Sequence, residues 1–394
     1  MERQSPAKAR FPLMALGAIS LFAALWAGLV RLGWQLPSIP FLPAGHHGAF
    51  MVSGFLGTVI SLERAVALRQ NRLAAAGAGR ETGTLFYYLA PLFAGLGGLA
   101  LLTALPVVVG QSLILLGALG LCVLFVIIYR MQPNAANVTM GLGALAWLAG
   151  NLLWLGGRPV AYVVPWWVAF LVLTIAGERL ELARVLLWGR RPRLFFIAAV
   201  GAFVAGLLLS LLAFGPGLRL AGAGLLLLGL WLLRFDTARR TIRQSGLTRF
   251  IAACLLPGYI WLGFGGLLWL YYGGQFLAGP AYDAMLHTIF LGFVFSMIFG
   301  HAPVIIPAVL RVRVPYRPVY YVHLALLHLS LVLRVAGDLT VTQGMRQWGG
   351  LLNEAAIILF LLVTVSPLPR LLGALGRRLG LAVRPAGDPS LGSG

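Results

Sequence analysis

Runs of about 20 apolar residues recur along the whole of this chain, each long enough to cross a bilayer's hydrocarbon core at about 1.5 Å per residue. A backbone in hydrocarbon must satisfy its own hydrogen bonds, so such runs fold as helices. Windows of that length place twelve spans, at 11–33, 46–68, 84–104, 107–129, 135–156, 160–183, 194–213, 217–234, 249–272, 283–309, 319–338 and 348–367. The sequence therefore predicts an all-α polytopic membrane protein of about twelve transmembrane helices. Residues 1–394 form a single transmembrane domain, with short tails at 1–10 and 371–394, and no loop is long enough to bury a soluble core.

Composition agrees. Of 394 residues, 60% are hydrophobic and 10% charged, against about a quarter charged in soluble domains, and the mean hydropathy is +0.91. The net charge of +20 does not point to nucleic acid, because the arginines are not gathered into a soluble domain. Arg69, Arg72, Arg80, Arg130, "GRRPR", "RFDTARRTIRQ", "RVRVPYR" and "RLLGALGRR" fall on alternate turns. That alternation is what the positive-inside rule produces, and it puts both termini in the cytoplasm. The lipid bilayer is the first partner. Cys122 and Cys254 form no CxxC pair and read as small buried hydrophobes. The basic N-terminus with its apolar run lacks a small-residue cleavage site and reads as a retained first span.

All six histidines sit in or beside three spans: His46 and His47 in the second, His287 and His301 in the tenth, His323 and His328 in the eleventh. Ionisable groups inside spans are costly, face the bundle interior and mark functional sites by default. With alternating orientation, His47 and His287 reach similar depth near the outer face, where two imidazoles on different helices can close on one metal. His301 lies 14 residues beyond His287, within about 40° of the same helix face and about 21 Å deeper. His328 matches the depth of His301, so these two are the expected pair for a lower site. His323 and His46 read more plainly as an interhelix donor and an interfacial residue.

A structural zinc site would want four ligands, and the outer level offers no cysteine and few carboxylates. Haem iron needs only two axial ligands, so a bis-histidine haem suits two lone imidazoles on two spans. The small residues of "GHHGAFMVSG" and "LGFVFSMIFG" leave room for a flat ring, and Phe50, Phe55, Phe290 and Phe293 can pack on it. Haem propionates want cations, and Arg334 and Arg31 lie at the right level. An ion pair of Arg334 with Asp338, four residues on, is the competing reading.

Two motifs carry a resemblance. "HGAFMVSGF", from His47, has the pattern HxxxMxxGF, and "HTIFLGFVFSMIFG", from His287, has HxxxxGxxxxMIxG. Both resemble the histidine-bearing helices of the NnrS family, twelve-span bacterial membrane proteins reported as haem- and copper-containing and linked to nitric oxide exposure and denitrification. The first motif also resembles the second helix of haem-copper oxidase subunit I, whose low-spin haem is held from the second and tenth helices. The resemblance covers roughly forty residues and implies a haem-copper-oxidase-like bundle in a bacterial inner membrane. It implies iron in haem on His47 and His287, copper as an open second metal, and electron transfer or gas binding in nitrogen-oxide metabolism. The copper-holding histidines of oxygen-reducing oxidases lie on the sixth and seventh helices, and this chain has no histidine between His47 and His287. An oxidase-type binuclear centre is therefore not expected.

"LERA", with Glu63 and Arg64, and "GERLELAR", with Glu178 and Arg179, lie near the inner ends of the second and sixth spans. Glu63 and Glu178 are candidates for proton entry or an inner site, with ion pairs to a neighbouring span's arginine as the plainer reading. Glu354, beside Asn353, is similarly placed in the twelfth span. No phosphate-binding loop, nucleophile elbow or HExxH motif occurs. The first functional expectation is a haem-binding membrane protein working with a small gas ligand or redox partner, an oxidoreductase if it turns over at all. The alternative is a secondary transporter of a metal ion or small solute, in which histidines and glutamates line a path.

Overall fold

The computed structural model describes residues 10–37, 39, 42–76, 85–183, 189–312 and 314–365. Arg80, residues 1–9 and the segment 371–394 lie outside the described residues. Every regular element among the described residues is helical, and the chain is an all-α, multi-pass membrane protein. Its helices are α1 (Phe11–Arg31), α2 (Ala44–Arg72), α3 (Leu85–Ala100), α4 (Val107–Met131), α5 (Ala135–Leu155), α6 (Val160–Ala183), α7 (Arg190–Ser210), α8 (Phe214–Phe235), α9 (Gly246–Gln275), α10 (Pro280–Leu310), α11 (Tyr320–Leu339) and α12 (Gln343–Thr364). Eleven are long and apolar enough to cross a membrane, while α3 is shorter than the third span expected at 84–104. It stops because Thr103 Oγ1 donates to the Ala100 carbonyl at 2.7 Å and Pro106 then opens α4.

Burial sorts the helices into an interior and a shell. In their most apolar stretches α6 is 78% buried and α2 and α10 are each 67% buried, against 33–50% for the other eight long helices. A helix apolar all round belongs in the middle of a bundle, and from Val163 to Thr174 every residue of α6 is buried. The shell turns one apolar face to lipid, as α4 does with Leu116, Leu119, Val123 and Val126. The three interior helices carry His46 and His47, Glu178 and Arg179, and His287 and His301.

Helix association in lipid has no hydrophobic drive of its own and relies on close packing, which small residues permit. Between α7 and α8 a side chain on Gly206 would strike the backbone of Ala221 and Gly217, and one on Gly217 would strike the backbone of Ser210 and Gly206. Trp147 of α5 stacks on Phe170 of α6, with centroids 4.8 Å apart, and its indole N–H donates to Ser53 of α2 at 3.0 Å. At the arginine-rich end, Arg10 reaches across to donate to the Val309 carbonyl at 2.7 Å.

Two interior helices depart from α geometry at corresponding places. Phe50–Gly57 in α2 and Thr288–Phe295 in α10 are π-helical, and each stretch begins just after a histidine, His47 in one and His287 in the other. π turns are rare and concentrate at functional sites. In each, an indole rests where a side chain would stand: Trp147 over Gly57 and Trp261 over Gly292. The glycine contact of α7 with α8 supplies a direct check on the packing. Gly206→Val should lower stability by about 2 kcal/mol, the usual size of an overpacking defect, read as a fall in the thermal midpoint of helical circular dichroism in detergent.

Candidate cofactor site

Near the end of the bundle opposite the arginine-rich turns, α2 and α10 bring two imidazoles together. The rings of His47 and His287 lie 6.4 Å apart between centroids, inclined by 35°. Each is oriented by a backbone carbonyl. His47 Nδ1 is 2.7 Å from the carbonyl oxygen of Ala24 in α1, and His287 Nδ1 is 2.9 Å from that of Asp283, one turn earlier in α10. A carbonyl only accepts, so both rings carry their proton on Nδ1 and keep Nε2 as the free lone pair. That is the tautomer a metal-ligating histidine adopts when its other nitrogen is held by an outer partner.

A second layer holds His287 in turn. Asp283 Oδ1 lies 3.2 Å from His287 Nδ1, and the same carboxylate accepts from Arg334 of α11 through Nε at 2.8 Å and Nη2 at 2.9 Å. This fork-on-fork geometry is the strong form of an arginine–carboxylate contact. Gly349 of α12 lies against the Arg334 backbone and Cβ, where a larger residue would collide, and Gly350 lies against Leu32 with Arg334 Nη1 at 3.5 Å. The pairing of Arg334 with Asp338 expected from the four-residue spacing does not form, since Asp338 accepts instead from Arg346 Nε at 2.6 Å. Arg31, at the end of α1, is exposed and makes no hydrogen bond or ion pair among the described residues.

On the His47 side the wall is glycine. The position where a Gly28 side chain would begin is 3.0 Å from Glu354 Oε1, 3.1 Å from His47 Cε1 and 3.2 Å from His47 Nδ1, so α1 can carry nothing larger there without moving the ring. Beyond Gly48 only Trp167 stands within 4 Å, at 3.5 Å, and beyond Gly45 nothing does. His46 points away from the pair, edge-on to Phe50 at 6.1 Å and Trp154 at 6.2 Å. Phe50 and Phe293 are fully buried, and Phe55 and Phe290 half-buried.

The lower histidines do not assemble as the sequence reading pairs them. His328 takes the indole N–H of Trp261 on Nδ1 at 3.1 Å, which leaves its proton on Nε2, 3.3 Å from Ser296 Oγ. Both ring nitrogens are therefore engaged, and no ring contact joins His328 to His301 among the described residues. His301 donates from Nδ1 to the Met297 carbonyl at 2.8 Å, and its Nε2 faces Arg179 Nη1 at 3.4 Å. His323 is fully buried without a polar partner, edge-on to Phe299 at 4.8 Å and Phe360 at 5.5 Å.

The inner carboxylates are paired across helices. Arg64 of α2 contacts Glu178 of α6, and Glu63 lies 3.5 Å from the same guanidinium. Arg179 forms a bidentate pair with Asp236 at 2.7 and 2.9 Å, both side chains buried. Arg64–Glu178 is the interhelix ion pair of the plainer reading, whereas Glu63 lies against the arginine next to it on its own helix. Among the described residues no group of three or more His, Cys, Asp or Glu side chains is arranged to hold a bare metal ion. Sequence reasoning passed over Asp283, Gly28 and Asp236. The i, i+4 spacing of "DAMLH" is a signal for the first; the other two depend on contacts between distant spans.

The architecture defines a class: a polytopic helical membrane protein with a half-buried two-imidazole site between interior helices. The chain belongs to the family described as "Domain of unknown function (DUF8744)", whose model matches residues 10–368. No curated protein and no solved structure matches it.

The Asp283–Arg334 clamp can be weighed independently of any cofactor. Breaking a largely buried ion pair from one side costs about 3 kcal/mol or more, while replacing both partners costs far less. Asp283→Asn should therefore lower the thermal midpoint more than Asp283→Asn combined with Arg334→Met. Additive losses in a double-mutant cycle would show that the two do not interact.

Proposed function

We propose that the chain is a haem-binding protein of a bacterial inner membrane, with both termini cytoplasmic, and that it transfers electrons in nitrogen-oxide metabolism. The observation that carries this reading is the spacing of the two free imidazole nitrogens' rings. Two imidazoles on opposite sides of one metal, at roughly 2 Å metal–nitrogen bonds, bring their ring centres about 6.3 Å apart; those of His47 and His287 are 6.4 Å apart. Two ligands on a small tetrahedral ion would stand closer, and such an ion would need further ligands that the site does not supply.

The residues present fit a macrocycle between α2 and α10. His47 and His287 would hold it, with open space beside Gly45 and the Trp167 ring 3.5 Å from where a Gly48 side chain would begin. Arg31 and the unused Nη1 of Arg334 would be the cations for its acidic edge. A haem so held supplies a one-electron change of oxidation state at iron. The protein's part is to fix both rings through the Ala24 and Asp283 carbonyls and to brace His287 from behind with the Asp283 carboxylate. With both imidazoles engaged in holding the group, electron transfer is the activity this arrangement would support best. The alternate arginine-rich turns support the orientation.

The purified protein from haem-replete cells should show a reducible Soret band and α band, with stoichiometric iron. His47→Ala and His287→Ala should each abolish the reducible bands. His301→Ala and His328→Ala should leave iron content unchanged, because the rings they remove are committed to Arg179 and Trp261. A colourless, metal-free preparation would overturn the proposal and favour a transporter of small solutes.

A further inference from the structure

At the arginine-rich end, away from the imidazole pair, a cavity of about 440 Å³ opens between the first turns of α9 and α11. Its lining includes Ser245, Gly246, Arg249, Ala253, Tyr316 and Tyr321. No carboxylate lines it. Arg249 makes no hydrogen bond or ion pair among the described residues, and Ser245 leaves the start of α9 uncapped by its side chain. The turn entering the cavity carries Arg239, Arg240 and Arg243, while the nearby Asp236 is spent on Arg179. The site is thus a basic recess with polar hydroxyls on its walls.

Its other end is apolar and continuous with lipid. Ala253, Ile260 and Leu267 follow one another at seven-residue intervals and so lie on one face of α9, and Ile260 and Leu267 are exposed. On α11, Val322 and Leu329 are likewise seven apart and exposed. A ligand seated here would have an anionic head against Arg249 and an apolar body running along these two faces toward mid-membrane. We infer that this recess binds the phosphate headgroup of an anionic phospholipid, with its acyl chains laid along α9 and α11. Free phosphate would satisfy only the basic half, and a neutral lipid only the apolar half. Basic pockets between transmembrane helices recognise anionic headgroups by this combination.

The test compares delipidated full-length protein in detergent with added phosphatidylglycerol, phosphatidylcholine or inorganic phosphate, reading the thermal midpoint and the lipid retained in native mass spectra. Phosphatidylglycerol should raise the midpoint and remain bound, and the other two should do neither. Arg249→Gln should weaken phosphatidylglycerol binding by about tenfold, the scale of one lost charge-assisted contact. Ala253→Trp, which fills the recess without changing charge, should weaken it as well, and Arg130→Gln, an exposed arginine of α4 remote from the recess, should not. The inference fails if Arg249→Gln and Ala253→Trp both fold and bind phosphatidylglycerol like the parent. It fails equally if Arg130→Gln loses as much, or if phosphatidylcholine or phosphate alone reproduces the shift.

Discussion

An imidazole inside a membrane span has to hydrogen-bond to something, and in this protein backbone carbonyls decide which nitrogen is left over. Ala24 fixes His47 and Asp283 fixes His287, each through Nδ1. Unpaired polar groups are expensive in hydrocarbon, so these contacts hold both rings in one tautomer and one direction. The free nitrogens, the glycine wall at Gly28 and the arginine–carboxylate clamp behind His287 all follow from the need to keep those two rings where they are.

The bundle around them is arranged to the same end. The three most buried helices, α2, α6 and α10, are the ones whose ionisable side chains have to be kept from lipid. At the arginine-rich end Arg64 of α2 pairs with Glu178 of α6, and Arg179 of α6 pairs with Asp236 just beyond α8. The π-helical stretch of α2 begins three residues after His47 and that of α10 begins one residue after His287. A π turn widens the helix and shifts everything beyond it by a fraction of a turn, so residues past the site face differently from an α-helical projection. Projections from His287 to His301 in the sequence assumed about 100° per residue throughout. The insertion of π turns between those residues is one physical reason why His301 meets Arg179 rather than His328.

The fold was largely legible in the sequence, because segment length and hydropathy are local properties and a membrane admits few ways to satisfy a backbone. Only α3 came out shorter than its apolar run, through a turn at Thr103 and Pro106. At the site, the common depth of His47 and His287 could be read from their distance to the span ends. What could not be read was anything set by azimuth between distant helices: Arg334 choosing Asp283 over Asp338, Trp261 taking the lone pair of His328, and Gly28 standing against His47. Each depends on how two helices far apart in sequence are rotated, and hydropathy carries little of that.

The proposed function stands on whether His47 and His287 together hold one iron atom. Electron–nuclear double resonance on oxidised protein containing ¹⁵N-histidine reads it most directly. The expected result is iron coupled to two histidine nitrogens, with the iron signal lost when either His47 or His287 is replaced. Iron bearing a single histidine nitrogen, or a two-nitrogen signal that survives replacement of both His47 and His287, would contradict it.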